Sequence, residues 1–172
     1  NIKMLKKIFY YTIILIYFSF NAYAINLKFT EIVNLDYPWS LTFINDNELL
    51  ISEKHGKIKL INLSTKKIKE IEHNLNYSSY GQGGLLDIIY KDNTIWISYS
   101  ENRGSSKTST SIAKAIYNNT KINFKNIFQA EPPIKSGYHF GSRLAIQGNY
   151  LYASVGERGK GMIAQDGSKH PG

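Results

Sequence analysis

The 172-residue chain has no cysteine. A disulfide framework, a thiolate metal site and a cysteine nucleophile are therefore excluded. Helical patterning is sparse after residue 25, where no long stretch places apolar residues at i, i+3, i+4 and i+7. There is no P-loop and no dinucleotide fingerprint: the GQGG run at 81–84 does not match G-x-G-x-x-G and precedes a strand pattern rather than a helix. At 42% hydrophobic and 20% charged residues the chain is too polar for a multi-span membrane protein. Its four histidines are not spaced as a metal cluster. The net charge is +8, but Lys3, Lys6 and Lys7 supply part of it, and the other lysines are scattered among glutamates, as in STKKIKEIE. That pattern is a solvated surface, not a nucleic-acid stripe, so no nucleic-acid partner is expected.

What is present favours strands. Aromatics reach 13%, with 13 Tyr, and the local runs use Ile, Tyr, Phe and Thr, which suit pleated, half-buried surfaces. The length suffices for one domain with a core. The N-terminus reads MLKKIFYYTIILIYFSFNAYA: a basic start, an apolar run from Ile8 to Phe20, then Ala22-Tyr23-Ala24. This is a secretory signal pattern, giving residues 1–24 as a signal peptide and 25–172 as the folded part. The apolar run is about 13 residues, short of the roughly 20 that a membrane span needs. A periplasmic or secreted bacterial protein is expected, with no stable membrane span after signal cleavage.

Three segments share one plan: Leu41–Gly56, Leu86–Gly104 and Leu144–Gly159. Each has an apolar run, a polar turn (NDNE, KDNT, QGN), a second run (LLIS, IWIS, LYAS) and a charged turn closing on Gly (EKHG, ENRG, GERG). Asn, Asp and Gly permit the backbone angles of tight hairpin turns, so each copy reads as a β-hairpin. The copies start 45 and 58 residues apart, the period of propeller blades. GKIKLINL (56–63), TSTSIAKAIY (108–117) and TKINFKNIFQ (120–129) read as further strands. Three units cannot close a ring that needs at least four blades, so the chain is expected to be the N-terminal part of a longer protein.

Four stretches in order, YPWSLTF (37–43), GQGGLLDI (81–88), HFGSRLAI (139–146) and GERGKGMIAQD (156–166), resemble the glucose/sorbosone dehydrogenase family, most nearly its soluble aldose sugar dehydrogenase branch. The resemblance runs from about Leu35 to Gly172. It implies an all-β fold, a six-bladed β-propeller in the full protein with about the first three blades present here. It also implies a quinoprotein that oxidises the C1 hydroxyl of aldose sugars to lactones with pyrroloquinoline quinone (PQQ) and calcium, passing electrons to a periplasmic acceptor. An RNxQG stretch and most cofactor contacts, including the calcium ligands, are expected beyond Gly172. This segment alone is not expected to hold PQQ or to turn over sugar.

The resemblance makes His139 the general base. An imidazole suits that task because its ordinary pKa lies near neutrality, although a lone histidine in such a setting also fits a turn residue with a satisfied hydrogen bond. Gln82, flanked by Gly81, Gly83 and Gly84, is implied to contact substrate and quinone, and its amide can both donate to and accept from sugar hydroxyls. Arg143 either pairs with a PQQ carboxylate or ties adjacent blades through a bidentate bond. Gln165 is a candidate cofactor contact. Asp87 and His170 are expected to be structural, His55 and His73 solvated, and Trp39 a core or inter-blade aromatic. In soluble glucose dehydrogenases an Asp precedes the base, whereas here Tyr138 does, so no fixed negative charge comes from that position. The alternatives are a non-catalytic exported propeller binding a carbohydrate or protein, and a lactonase-like propeller with a central metal, for which no converging carboxylate set is evident.

Overall fold

The computed structural model describes residues 2–18 and 27–166. The chain divides into two units, Asn1–Glu31 and Ile32–Gly172. The first carries α1 (Ile2–Phe18). No helix among the described residues is long and apolar enough to cross a membrane. The expected cleavage site at Ala24 and the expected structural residue His170 lie outside the described residues.

The second unit is built of strands. β1 (Pro38–Asn45), β2 (Glu48–Glu53), β3 (Lys57–Asn62) and β4 (Ile68–His73) form an antiparallel meander, the first blade. β5 (Leu85–Lys91), β6 (Thr94–Asn102) and β7 (Thr108–Ile116) continue the pattern. They are followed by β8 (Lys121–Ile122) and β9 (Lys125–Gln129). β10 (Gly141–Gln147) and β11 (Tyr150–Val155) form the opening hairpin of a third blade, and a 3-10 turn spans Gly161–Gln165. The architecture is a partial β-propeller. The expected hairpin turns are all present. At Asp92-Asn93 both central residues adopt positive φ (49° and 62°), the geometry whose twist matches paired strands.

Two strand assignments differ from the expectation. TKINFKNIFQ is not one strand: β8 adds in parallel to β4 of the first blade, whereas β9 pairs with β7 of the second. The break is made by Asn74, whose side chain donates to Phe124 O (3.0 Å) and accepts from Phe124 N–H (2.8 Å), taking the place of a strand partner. Ile122 and Phe124 are thereby buried between the blades. The second difference is β4 itself, within the charged stretch expected to be surface. It is both surface and strand, exposed along most of its length except at Ile71.

The core lies between the first two blades. Leu50, Ile58, Leu60 and Ile71 of the first meet Leu85, Ile88, Ile95 and Ile97 of the second. Each such buried aliphatic contributes roughly 1.5–3 kcal/mol. The opposite face of the first blade is covered by Val33, Leu35 and Leu63 over Leu49, Ile51 and Ile61. Trp39, expected as a core or inter-blade aromatic, is not in the core of the described blades but half exposed on that same face, with Leu41 and Phe43. Strand alternation puts these three beside Ile51 and Leu49, outside the covered part of the sheet.

The repeated features have a common physical purpose. β1, β5 and β10 each carry a register irregularity near the start, between Pro38 and Ser40, Leu85 and Ile88, and Gly141 and Leu144. Such bulges re-aim side chains. The recurring serine that closes the second run clasps the bulge of the next blade: Ser52 Oγ donates to Leu86 O and Ser98 Oγ to Ser142 O, both at 2.5 Å. Because the meanders are antiparallel, all three charged turns fall at one end of the sheets, together with the connections 74–84 and 130–140.

Candidate active site

That end of the sheets gathers the residues singled out in the sequence. Gly81 turns the chain with φ 61° into Gln82, whose backbone N–H donates to Gly137 O at 2.7 Å. The Gln82 side chain is exposed, as expected, but its Oε1 is engaged: it accepts the backbone N–H of His139 at 2.8 Å. Thus two sequence-distant loops are pinned together at the candidate base. His139 itself has φ 50°, an uncommon conformation for a residue with a Cβ, costing of order 1 kcal/mol. Ser142 (φ 79°) and Arg158 (φ 56°) share this strain. Strained residues held by their surroundings cluster at functional sites.

The imidazole is 54% exposed and its Nδ1 meets Glu157 Oε1. Glu157 Oε2 accepts the backbone N–H of Gly159. These bonds, that from His139 foremost, hold the Glu157 carboxyl below the usual glutamate range. An ionised carboxylate can only accept, so Nδ1 carries the proton and, in the neutral ring, Nε2 keeps its lone pair. Among the described residues no hydrogen bond engages Nε2. The negative charge absent at Tyr138 is therefore supplied by Glu157, 18 positions after His139. Tyr138 instead sets its ring edge-on to His139, with centroids 6.3 Å apart.

Glu157 reaches the ring because the β11 turn presses against the loop. A Cβ on Gly156 would lie 1.8 Å from His139 O, and Gly156 N–H donates to Phe140 O at 3.0 Å. Arg158, next in sequence, is buried (1% exposed). Its Nε donates to Tyr138 O at 2.9 Å, Nη1 to Thr108 O at 3.1 Å, and Nη2 to Thr108 Oγ1 at 2.7 Å and to Ser136 O. The guanidinium carbon stands 3.7 Å over the Phe140 ring. Burial pushes its pKa down to about 10, still protonated at neutral pH.

Sequence reasoning missed Glu157 and Arg158. The signal was the third charged turn, where the Glu stands two residues before the closing Gly instead of three, as Glu53 and Glu101 do. Of the two roles expected for Arg143, a PQQ carboxylate contact or a bidentate tie between blades, the geometry does not provide the second. Arg143 makes one 3.5 Å contact with Asp87 Oδ1 and its side chain is 79% exposed, which is worth little. Asp87 is the real tie: it is buried, accepts Ser40 Oγ at 2.6 Å from the first blade and Leu144 N–H at 2.7 Å from the third. Gln165 ends the 3-10 turn with its side chain exposed, and no hydrogen bond joins it to His139, Gln82 or Arg143. His55 is exposed, as expected, with Tyr37 edge-on to it at 4.9 Å. His73 is not solvated but half-buried: Nε2 meets Gly56 O at 2.9 Å, and Nδ1 accepts Leu75 N–H at 3.2 Å. A cleft of about 710 Å³ beside the site is lined by Tyr80, Lys107, Lys135 and Ser136 but does not include His139. Among the described residues no three His, Asp or Glu side chains gather to hold a metal ion.

The profile of the family described as Glucose / Sorbosone dehydrogenase matches residues 35–172. The chain belongs to this family. It is 31% identical over 148 residues to Aldose sugar dehydrogenase YliI of Escherichia coli (strain K12), covering 80% of this chain and 40% of that protein. The crystal structure of the soluble Aldose sugar dehydrogenase (Asd) from Escherichia coli in the apo-form superposes with a TM-score of 0.73 at 32% identity, over 78% of this chain and 42% of that one. The PQQ-bound form of Aldose Sugar Dehydrogenase (Adh) from Streptomyces coelicolor superposes at 0.68 and 24% identity, over 79% and 42%, a likeness of fold alone. The chain spans about two fifths of the length of these relatives.

Proposed function

We propose that the full-length protein is an exported aldose sugar dehydrogenase in which His139 removes the proton of the sugar C1 hydroxyl. The observation that carries this reading is the His139–Glu157 pair, which leaves Nε2 with a lone pair at the loop-bearing end of a propeller. The donors there also suit PQQ: the exposed guanidinium of Arg143 and the free amide hydrogens of Gln82 can meet carbonyl and carboxylate oxygens. When bound, the quinone would supply the hydride acceptor. Among the described residues no three carboxylate or histidine side chains gather to hold calcium.

The chain's own residues account for the proton. His139 Nε2 accepts it as the C1–O bond becomes a carbonyl, giving the lactone. Glu157 fixes the ring's orientation and stabilises the imidazolium that forms, as a carboxylate does for a histidine base elsewhere. Gln82 fixes the main chain at His139 and keeps two amide hydrogens for a sugar oxygen or the quinone. Gln165 is proposed as a further contact of the bound cofactor. The basic, apolar N-terminal segment supports export, and a periplasmic acceptor would take the electrons.

The test is dye reduction with a panel of aldoses by the full-length protein reconstituted with PQQ and calcium. Turnover that disappears in His139→Ala supports the reading. A wild-type protein that binds sugar without turnover would favour the non-catalytic alternative.

A further inference from the structure

Arg158 is a buried cation whose hydrogen bonds go to main-chain carbonyls and one hydroxyl, none to a carboxylate. Such burial is costly unless the donors are satisfied in place. Here three of the groups that satisfy or support it belong to the loop that carries His139: Ser136 O, Tyr138 O and the Phe140 ring. The fourth, Thr108, also donates its hydroxyl to Ser136 O at 2.9 Å, so β7 and the loop are held together around the guanidinium. The backbone N–H of Arg158 donates to His139 O at 3.3 Å. The residue thus grips both sides of His139 while its own backbone presents Glu157, one position earlier, to the ring.

We propose that Arg158 is a positioning residue that holds His139 in its left-handed conformation and in register with Glu157, so that Nε2 faces the substrate. A lysine could not substitute, because a single ammonium cannot reach carbonyls on both sides of the loop and lie flat on Phe140. This inference rests on the base assigned to His139 in the proposed function, but its geometry can be tested apart from that function.

The experiment uses the full-length protein with glutamate and histidine selectively labelled for NMR. Arg158→Lys is compared with the wild type for melting temperature, for the carboxyl-carbon titration of Glu157, and for kcat and KM with PQQ and an aldose. The expected result is a folded variant in which the Glu157 midpoint rises towards the ordinary glutamate value. Its kcat should fall by about tenfold or more, as misplacement of a reacting group does, with KM changed by less than about threefold. A folded variant with the Glu157 titration and kcat of the wild type overturns the proposal. Should Arg158→Lys fail to fold, Thr108→Val decides: it removes one acceptor of the guanidinium, and a smaller shift in the same direction is expected, while no shift overturns the proposal. Absence of sugar oxidation in the wild type would remove the proposed function, yet the Glu157 titration would still decide whether Arg158 positions the pair.

Discussion

His73 and His139 sit at the same end of the sheets and are wired in opposite ways. His73 has both ring nitrogens committed to main chain: Nδ1 accepts from Leu75 N–H, so Nε2 carries the proton and donates to Gly56 O. It is a clasp between the end of β4 and the first charged turn. His139 gives Nδ1–H to a carboxylate and leaves Nε2 open. A saturated ring can hold a fold together but cannot take a proton without losing a bond. A ring with one nitrogen anchored and the other free can.

The carboxylates repeat the contrast. Glu101, in the second charged turn, is buried and accepts from Ser111 Oγ (2.7 Å), Asn126 Nδ2 (3.0 Å) and Gln129 Nε2 (2.7 Å). Glu53, in the first, accepts Asp36 N–H and Lys59 Nζ, both at 2.8 Å. Glu157, displaced by one residue relative to the closing Gly, turns outward to His139. One position in a turn separates a carboxylate that serves the blade from one that serves the site.

Substitutions should divide along this line. His139→Ala is expected to cut kcat of the full-length protein by about 10²–10⁴-fold, the usual contribution of a general base, with little change in melting temperature because the ring is half exposed. Glu101→Ala should do the reverse. The buried Ser111 hydroxyl and the amides of half-buried Asn126 and exposed Gln129 lose their acceptor, and chemical denaturation should show about 1–3 kcal/mol lost while the properties of the His139–Glu157 pair persist. His73→Ala should cost about 1–2 kcal/mol by the same measurement and leave kcat unchanged. Tyr99→Phe is the smallest effect: the buried hydroxyl, pushed up to about 12 chiefly by burial, donates to Asn126 at 2.7 Å, and its loss should cost about 1 kcal/mol.

The pH dependence follows from Glu157. Its folded pKa lies below its unfolded one, so the link to His139 is complete above the ordinary glutamate range and is lost as pH falls through the folded value. NMR titration of the Glu157 carboxyl carbon should show a depressed midpoint that rises in His139→Ala.

Much of the fold was legible because turns and strand periods are local. NDNE, KDNT and QGN each carry residues that tolerate hairpin geometry, and the blades follow from their spacing. The split of 120–129 was not legible, although its alternation slips at Lys125-Asn126 and Ile127-Phe128, because the partner that makes the break, Asn74, lies some fifty residues away. At the candidate site, His139 and Gln82 stand side by side, the latter in a contact the sequence could not express, since its side chain holds the main chain of His139. Glu157 and Arg158 stood only as the charges of a turn closing on Gly. Their meaning depends on Gly156, whose missing Cβ lets one turn close on another loop. Arg143 carried the chemistry expected of an inter-blade tie, but burial gave that task to Asp87.

The assignment of His139 as base rests on which of its nitrogens holds the proton, and nitrogen-15 NMR of histidine-labelled full-length protein reads this directly. At a pH where both rings are neutral, His139 should show the Nδ1–H tautomer and His73 the Nε2–H tautomer in one spectrum. An Nε2–H tautomer at His139, or an average of the two forms unaffected by Glu157→Gln, would contradict it.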